Sequence, residues 1–249
     1  MPNPRIHFLN VKQGDCFLLE RDSGRLTVID VCCGNLSDED LGLPKFAASR
    51  AEKPRGDYAM CSAPTNPIRY LESRKLSNIW RFRLTHPDMD HMDGIKRLFD
   101  TKVVSNFWDC GIRRHKPDFE EGGPYLEEDW DFYEALISGK VTSTKVISPR
   151  AGDKGKYWNV DDDPNNSYGD FLHIVSPNDE LITSANDNGD INDASYVIVY
   201  RSSAGPVIFA GDSNDNTWNY ILANHKDLVR DAAVLFAPHS LAQLKQLAG

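Results

Sequence analysis

Short apolar runs separated by glycine-containing turns open the chain. Their spacing predicts strands at about 5–11, 16–21 and 25–30, close enough together for an antiparallel meander that would form half of a sandwich. Residues 32–66 break this regularity. Gly, Pro, Asn, Ser and charged residues dominate there, with Pro44, Pro54 and Pro64 inside the stretch, which predicts a long loop with at most a short helix, of the kind that often serves a site. Beyond it the pattern predicts a helix over about 68–75, a strand over 79–84, a helix from Gly94 to Phe99 and a strand over 102–108. Leu126, Trp130, Tyr133, Ala135, Leu136 and Ile137 recur at helical spacing and predict an acidic amphipathic helix over about 125–137. Strands near 144–148, 171–176, 195–201 and 206–210, a helix at about 216–225 and a strand at about 232–236 complete the pattern. No repeat of short period is present.

At 249 residues the chain is long enough for one large α/β domain over 1–249 with a substantial core. No apolar run approaches the roughly 20 residues of a membrane span, and Met1-Pro2-Asn3-Pro4-Arg5 lacks the apolar core of a signal peptide. The expectation is a cytoplasmic protein. The five cysteines, Cys16, Cys32, Cys33, Cys61 and Cys110, are odd in number and without C-x-x-C spacing. Reduced thiols are therefore expected rather than a disulfide framework. Cys32-Cys33 follows Asp30 closely, and packing or lining a cleft both remain open. A net charge of −9 argues against a broad nucleic-acid footprint. Arg69 to Lys116 is nevertheless rich in basic residues: Arg74, Lys75, Arg81, Arg83, Lys96, Arg97, Lys102, Arg113 and Arg114. Either a positive lip or solvated helix faces would account for them. Asp161-Asp162-Asp163-Pro164-Asn165-Asn166 lacks the Gly and terminal Glu of a calcium loop and reads as a solvated turn.

The densest chemistry follows the apolar run Ile79-Trp80-Arg81-Phe82-Arg83-Leu84. Thr85-His86-Pro87-Asp88-Met89-Asp90-His91, with Met92-Asp93-Gly94 behind it, places two imidazoles and two carboxylates within six residues. A strand turning sharply into a helix presents alternate side chains to one cavity, so that His86, Asp88 and Asp90 converge and His91 enters from the helix start. Such a set can hold two divalent ions for in-line ester or phosphodiester hydrolysis. A polar strand-to-helix loop with Asp90 as its cap is the plainer reading.

Other segments extend the pattern. Phe8-Leu9-Asn10-Val11-Lys12-Gln13-Gly14-Asp15-Cys16-Phe17-Leu18-Leu19 is a strand, a Gly-Asp turn and a strand, and Leu26-Thr27-Val28-Ile29-Asp30 ends a third strand on aspartate. Asn192-Asp193-Ala194-Ser195-Tyr196-Val197, Val207-Ile208-Phe209-Ala210-Gly211-Asp212 and Leu235-Phe236-Ala237-Pro238-His239-Ser240 follow in that order. Together these segments resemble the metallo-β-lactamase superfamily, in the His-x-Asp-x-Asp-His variant of ComEC-type DNA-uptake proteins. The resemblance covers residues 6 to 240; Lys12 stands where a glycine is usual, and 110–170 is the region that fits least.

The resemblance implies an α/β fold, an αββα four-layer sandwich with two mixed sheets. It further implies two divalent metal ions, zinc or manganese: His86 and Asp88 on one, Asp90, His91 and His239 on the other, with Asp212 bridging. A hydroxide held between the ions would be the nucleophile, Asp90 the proton acceptor, and His239 or a water the aid to the leaving group. Asp212 as the N-cap of the next helix is the alternative. Asp88 in place of a histidine makes the first site harder. Its third ligand is open among Asn192, Asp193, His115 and His173, although His173, mid-strand, reads as structural. Only Leu241 to Gly249 follow Ser240, which implies abbreviated closure, a fragment, or a sheet edge covered by a partner domain or a second copy. The leading expectation is a phosphodiester hydrolase acting on DNA or a nucleotide. A hydrolase of a small ester, lactone or thioester, and a binding module without turnover, are the alternatives.

Overall fold

The computed structural model describes residues 4–37, 64–159 and 169–237. Cys61, the 161–166 turn, Pro238, His239, Ser240 and most of the 32–66 loop lie outside these described residues. Two compact units are present. One takes its residues from Met1–Arg83, Asp88–Phe107 and Lys116–Val146, the other from Leu84–Pro87, Trp108–His115 and Ile147–Gly249.

In the first unit, β1 (Arg5–Phe8), β2 (Phe17–Glu20) and β3 (Leu26–Ile29) form the expected antiparallel meander, with Phe8 opposite Phe17 and Phe17 opposite Ile29. β4 (Asn78–Arg83) pairs with β3 in parallel, and β5 (Val103–Trp108) and β6 (Lys145–Ile147) extend the sheet in the order β1-β2-β3-β4-β5-β6. Parallel pairing needs a crossover. The connection carries α1 (Pro67–Ser73), started by Asn66, whose side chain accepts from the amides of Ile68 and Arg69, with proline at the first helical position. His7 ties α1 to the meander through Tyr70 (2.8 Å) and Glu20 (2.7 Å).

Aromatic rings fill this unit's core. Phe82 stacks on Phe107 at 6.0 Å, and Phe99 of α2 (Ile95–Thr101) meets both edge-on, as it does Phe132 of α3 (Glu127–Ile137). α3 falls on its expected span, with one departure: Asp129 faces inward and is buried. Its carboxylate accepts from the amides of Gly94 and Lys96, both at 2.9 Å. α2 starts on Gly94, which has no side chain to cap it, so α3 supplies the acceptor that satisfies these amides. Arg81 and Arg83 depart from a positive lip or a solvated face as well. Both are buried in β4, where Arg81 donates to Thr27 Oγ1 at 2.9 Å.

In the second unit, β7 (Leu172–Ser176), β8 (Val197–Ser202), β9 (Gly205–Phe209) and β10 (Val234–Phe236) form a sheet in the order β10-β9-β8-β7. β7-β8 and β8-β9 are antiparallel and β9-β10 is parallel. Each unit therefore contains a mixed sheet, as expected for this α/β chain. Val175, Val197, Val199 and Ile208 pack against Trp218 and Ile221 of a helix over Asp215–Asn224 and against Val229 of a short turn of helix over Lys226–Val229. Between β7 and β8 stands a helix the periodicity missed, α4 (Asp179–Asn188). The helix over Asp215–Asn224 is thus α5, and the one over Lys226–Val229 is α6. Among the described residues no helix is long and apolar enough to cross a membrane.

Candidate metal centre

The turn after β4 is shared by the two units: Leu84–Pro87 belongs to the second and Asp88 onward to the first. In the first unit Asp88 accepts from the amide of Met89 at 2.8 Å and so starts a 3-10 turn over Met89–His91. Asp88, not Asp90, is the cap of that turn, and Gly94 holds that place on α2, so the plainer reading of Asp90 fails. The Asp90 side chain is 23% exposed, with Oδ1 3.9 Å from His91 Nε2.

His91 is wholly buried and held from behind. Its Nδ1 lies 2.8 Å from Asp30 Oδ2, and both side chains are at zero exposure. A carboxylate in this position keeps the proton on Nδ1 and leaves the Nε2 lone pair for a metal, the arrangement by which outer carboxylates orient and strengthen ligand imidazoles. Asp30 reaches it from the end of β3 in a left-handed conformation, φ 55°. The amide of Val31 donates to the His91 carbonyl at 3.0 Å and locks the two segments together. Asp15 joins them: one ligand atom each from Asp15, Asp30 and His91 lie within 4.8 Å of one another. Sequence reasoning gave Asp15 and Asp30 no role at the site. The available signal was an aspartate ending an apolar strand.

In the second unit His86 is also wholly buried, with Nδ1 3.1 Å from Thr85 Oγ1. The Thr85 carbonyl accepts from the Tyr196 amide at 2.9 Å, so the entry to β8 fixes the start of the turn. His86 Nε2 lies 3.9 Å from Asp212 Oδ2. Gly211 makes that approach possible. Its φ is 52°, and a β-carbon there would stand 3.0 Å from Thr85 Cβ. Asp212 is not a helix cap: α5 starts at Asp215 behind Asn214.

The third-ligand candidates narrow to two. Asp193 is buried, with Oδ2 accepting from Asn216 at 2.9 Å and its carbonyl from Thr217 at 2.7 Å, while its Oδ1 has no hydrogen-bond partner among the described residues. Asn192 Oδ1 is buried with no hydrogen-bond partner among the described residues. His173 lies mid-strand in β7 opposite Val199, and His115 is exposed. Each of Asn192 and Asp193 thus offers one orphaned oxygen, and both stay candidates for the third ligand.

These donors fit divalent ions. Two ligands on one tetrahedral ion with bonds of about 2.1 Å stand about 3.4 Å apart. The His86–Asp212 and His91–Asp90 separations of 3.9 Å are too long for hydrogen bonds and near that spacing. Imidazole and carboxylate donors suit zinc and manganese alike.

Behind the turn, Asn35 donates to Asp93 Oδ1 at 2.9 Å and to Asp129 Oδ2 at 2.7 Å, joining two buried acids. Burial, with the charge of Asp129 second, pushes the Asp93 carboxyl up to about 6 from an ordinary 3.8. The folded state therefore binds this proton more tightly than the unfolded chain does. The associated stability is fully present below pH about 4 and is lost as pH rises through about 6. Urea unfolding of chelator-stripped wild type and Asp93→Asn checks this: the stability difference between them should shift against wild type from pH 5 to 7.5, and a pH-independent difference would refute it. Tyr125 is a further residue the sequence did not flag. Burial raises its phenol, followed by the charges of Asp90, Cys32, Asp93 and Asp88, so it remains a protonated donor.

No protein-family model and no curated protein matches the chain. Among solved structures, a Thermotoga maritima protein with a provisional metallo-β-lactamase assignment aligns with 88% of this chain and 76% of its own, at 14% identity and TM-score 0.38. A structure described as a new diphosphatase of the PhnP family aligns with 94% of this chain and 69% of its own, at 10% identity and TM-score 0.39. Both likenesses are distant.

Proposed function

We propose that the chain is a metal-dependent hydrolase of phosphodiesters, DNA or a nucleotide, on the metallo-β-lactamase-like αββα plan in its ComEC-type form. His86, Asp88, Asp90, His91, Asp212 and His239 hold two divalent ions, zinc or manganese. The observation that supports this most is the approach of His86 to Asp212, two residues far apart in sequence that the resemblance assigns to one centre.

Bound ions would supply Lewis acidity to the attacked phosphoryl group and lower the pKa of water. The protein's part follows from its own contacts. Asp30 holds the proton on His91 Nδ1, and the Thr85 hydroxyl orients His86, so both rings are set before substrate arrives. Asp90, a partly exposed carboxylate of the turn, accepts the proton released by the attacking water, and His239 assists the leaving group. Arg113 and Arg114 remain on the surface after the burial of Arg81 and Arg83, and Arg114 Nη1 stands 3.5 Å from the Pro87 carbonyl. They are the candidates for drawing a phosphodiester toward the turn.

The imidazole–carboxylate centre of the purified chain should hold about two divalent ions. The chain should lose cleavage of bis(p-nitrophenyl) phosphate on chelation and regain it with zinc or manganese. Cleavage of a lactone or thioester in preference would refute the substrate class. Absence of both metal and turnover would refute the hydrolase and leave a binding module.

A further inference from the structure

The structure assigns a separate thiolate-rich cation site to Cys32, Cys33 and Asp93, suited to zinc or another soft divalent ion. The Sγ atoms of Cys32 and Cys33 are 3.8 Å apart. Two thiolates on one tetrahedral zinc, with bonds of about 2.3 Å, stand about 3.8 Å apart. Adjacent side chains on extended backbone point to opposite sides. Here Cys33 adopts a left-handed conformation, φ 63°, and the two sulfurs are neighbours.

A third donor is held in place by the same loop. The Cys33 amide donates to Asp93 Oδ2 at 2.9 Å and the Gly34 amide to the Asp93 carbonyl at 3.0 Å. One ligand atom each from Cys32, Cys33 and Asp93 lie within 4.8 Å of one another, and all three residues are buried. Both thiols also point at one acceptor, the Val11 carbonyl, at 3.3 and 3.0 Å. That carbonyl completes a four-donor set of two sulfurs and two oxygens. Binding replaces the two thiol protons by the ion: two S–H bonds break, two metal–sulfur bonds form, and two protons leave to solvent. No oxidant or reductant is needed. Thiolates select soft ions, whereas the imidazoles and carboxylates of the neighbouring turn do not. The assignment is independent of the proposed hydrolysis.

Cadmium is the probe, because only thiolate ligation gives a sulfur-to-cadmium charge-transfer band. Titration of the reduced, chelator-stripped chain should give a band that saturates at the amplitude of one dithiolate-bound cadmium per chain. The band should fall at least tenfold in Cys32→Ser and in Cys33→Ser and persist in Asp90→Asn and Asp212→Asn. No band in wild type, or an undiminished band in both serine variants, overturns the site. If circular dichroism finds both serine variants unfolded, alkylation of wild type decides. Zinc should protect Cys32 and Cys33 from iodoacetamide, as mapped by mass spectrometry, and equal labelling with and without zinc overturns the assignment.

Discussion

Asp90→Asn and Asp212→Asn are each expected to lower metal-dependent phosphodiester hydrolysis by about 10³-fold while leaving the apo-protein's stability within about 1 kcal/mol of wild type. The expectation comes from exposure and charge. Both side chains are partly open, 23% for Asp90 and 14% for Asp212, so a neutral isostere leaves no buried acceptor stranded. Each stands 3.9 Å from the Nε2 of a wholly buried histidine, a position better suited to a shared ion than to a packing contact. The first unit also gathers Asp15 and Asp30 about His91, with Asp88 and Asp90 in the same turn, and like charges this close oppose one another until a cation arrives. Metal should therefore raise the melting temperature of wild type, an effect of linkage, and each Asn variant should lose most of that gain. Wild-type hydrolysis together with an intact metal-induced shift in both variants would remove these residues from the centre.

Local chemistry was legible in the sequence where period and punctuation agreed. The β1–β3 meander, β4, β5 and α3 were readable because alternating or helical apolar positions filled each element. Gly211-Asp212 was readable because glycine ending a buried strand marks a close backbone approach, and Thr85 occupies that space. α4 was missed because its apolar stripe is only Leu181, Ile182 and Ala185, although Asn178 accepting from Leu181 and Gly189 in a left-handed turn punctuate both ends. The buried pairs were not legible at all. Asp30 against His91, Asp129 against the start of α2, and Arg81 against Thr27 are long-range contacts between charged or polar residues that no local pattern announces. Burial of a charge is decided by the partner it meets, and the partner lies elsewhere in the chain.

Gly14→Ala is expected to cost about 3 kcal/mol of stability, because two penalties add at one atom. Gly14 has φ 67°, a conformation that an L-residue adopts at a cost of about 1–2 kcal/mol. A β-carbon there would also stand 2.0 Å from the Asp90 carbonyl oxygen and 2.7 Å from its carbonyl carbon, a clash with backbone that no side-chain rotation relieves. Overpacking of this kind adds about 1–3 kcal/mol. The turn before Asp15 and the 3-10 turn bearing Asp90 must therefore separate, moving Asp90 relative to the His91 that Asp30 holds. Stability and activity should fall together in Gly14→Ala. Gly24→Ala is the control: it shares the left-handed φ, at 79°, but nothing lies within 4 Å of its added carbon, so only the conformational part should remain, without loss of hydrolysis. Equal urea midpoints for the two variants would mean that the turns do not meet as described.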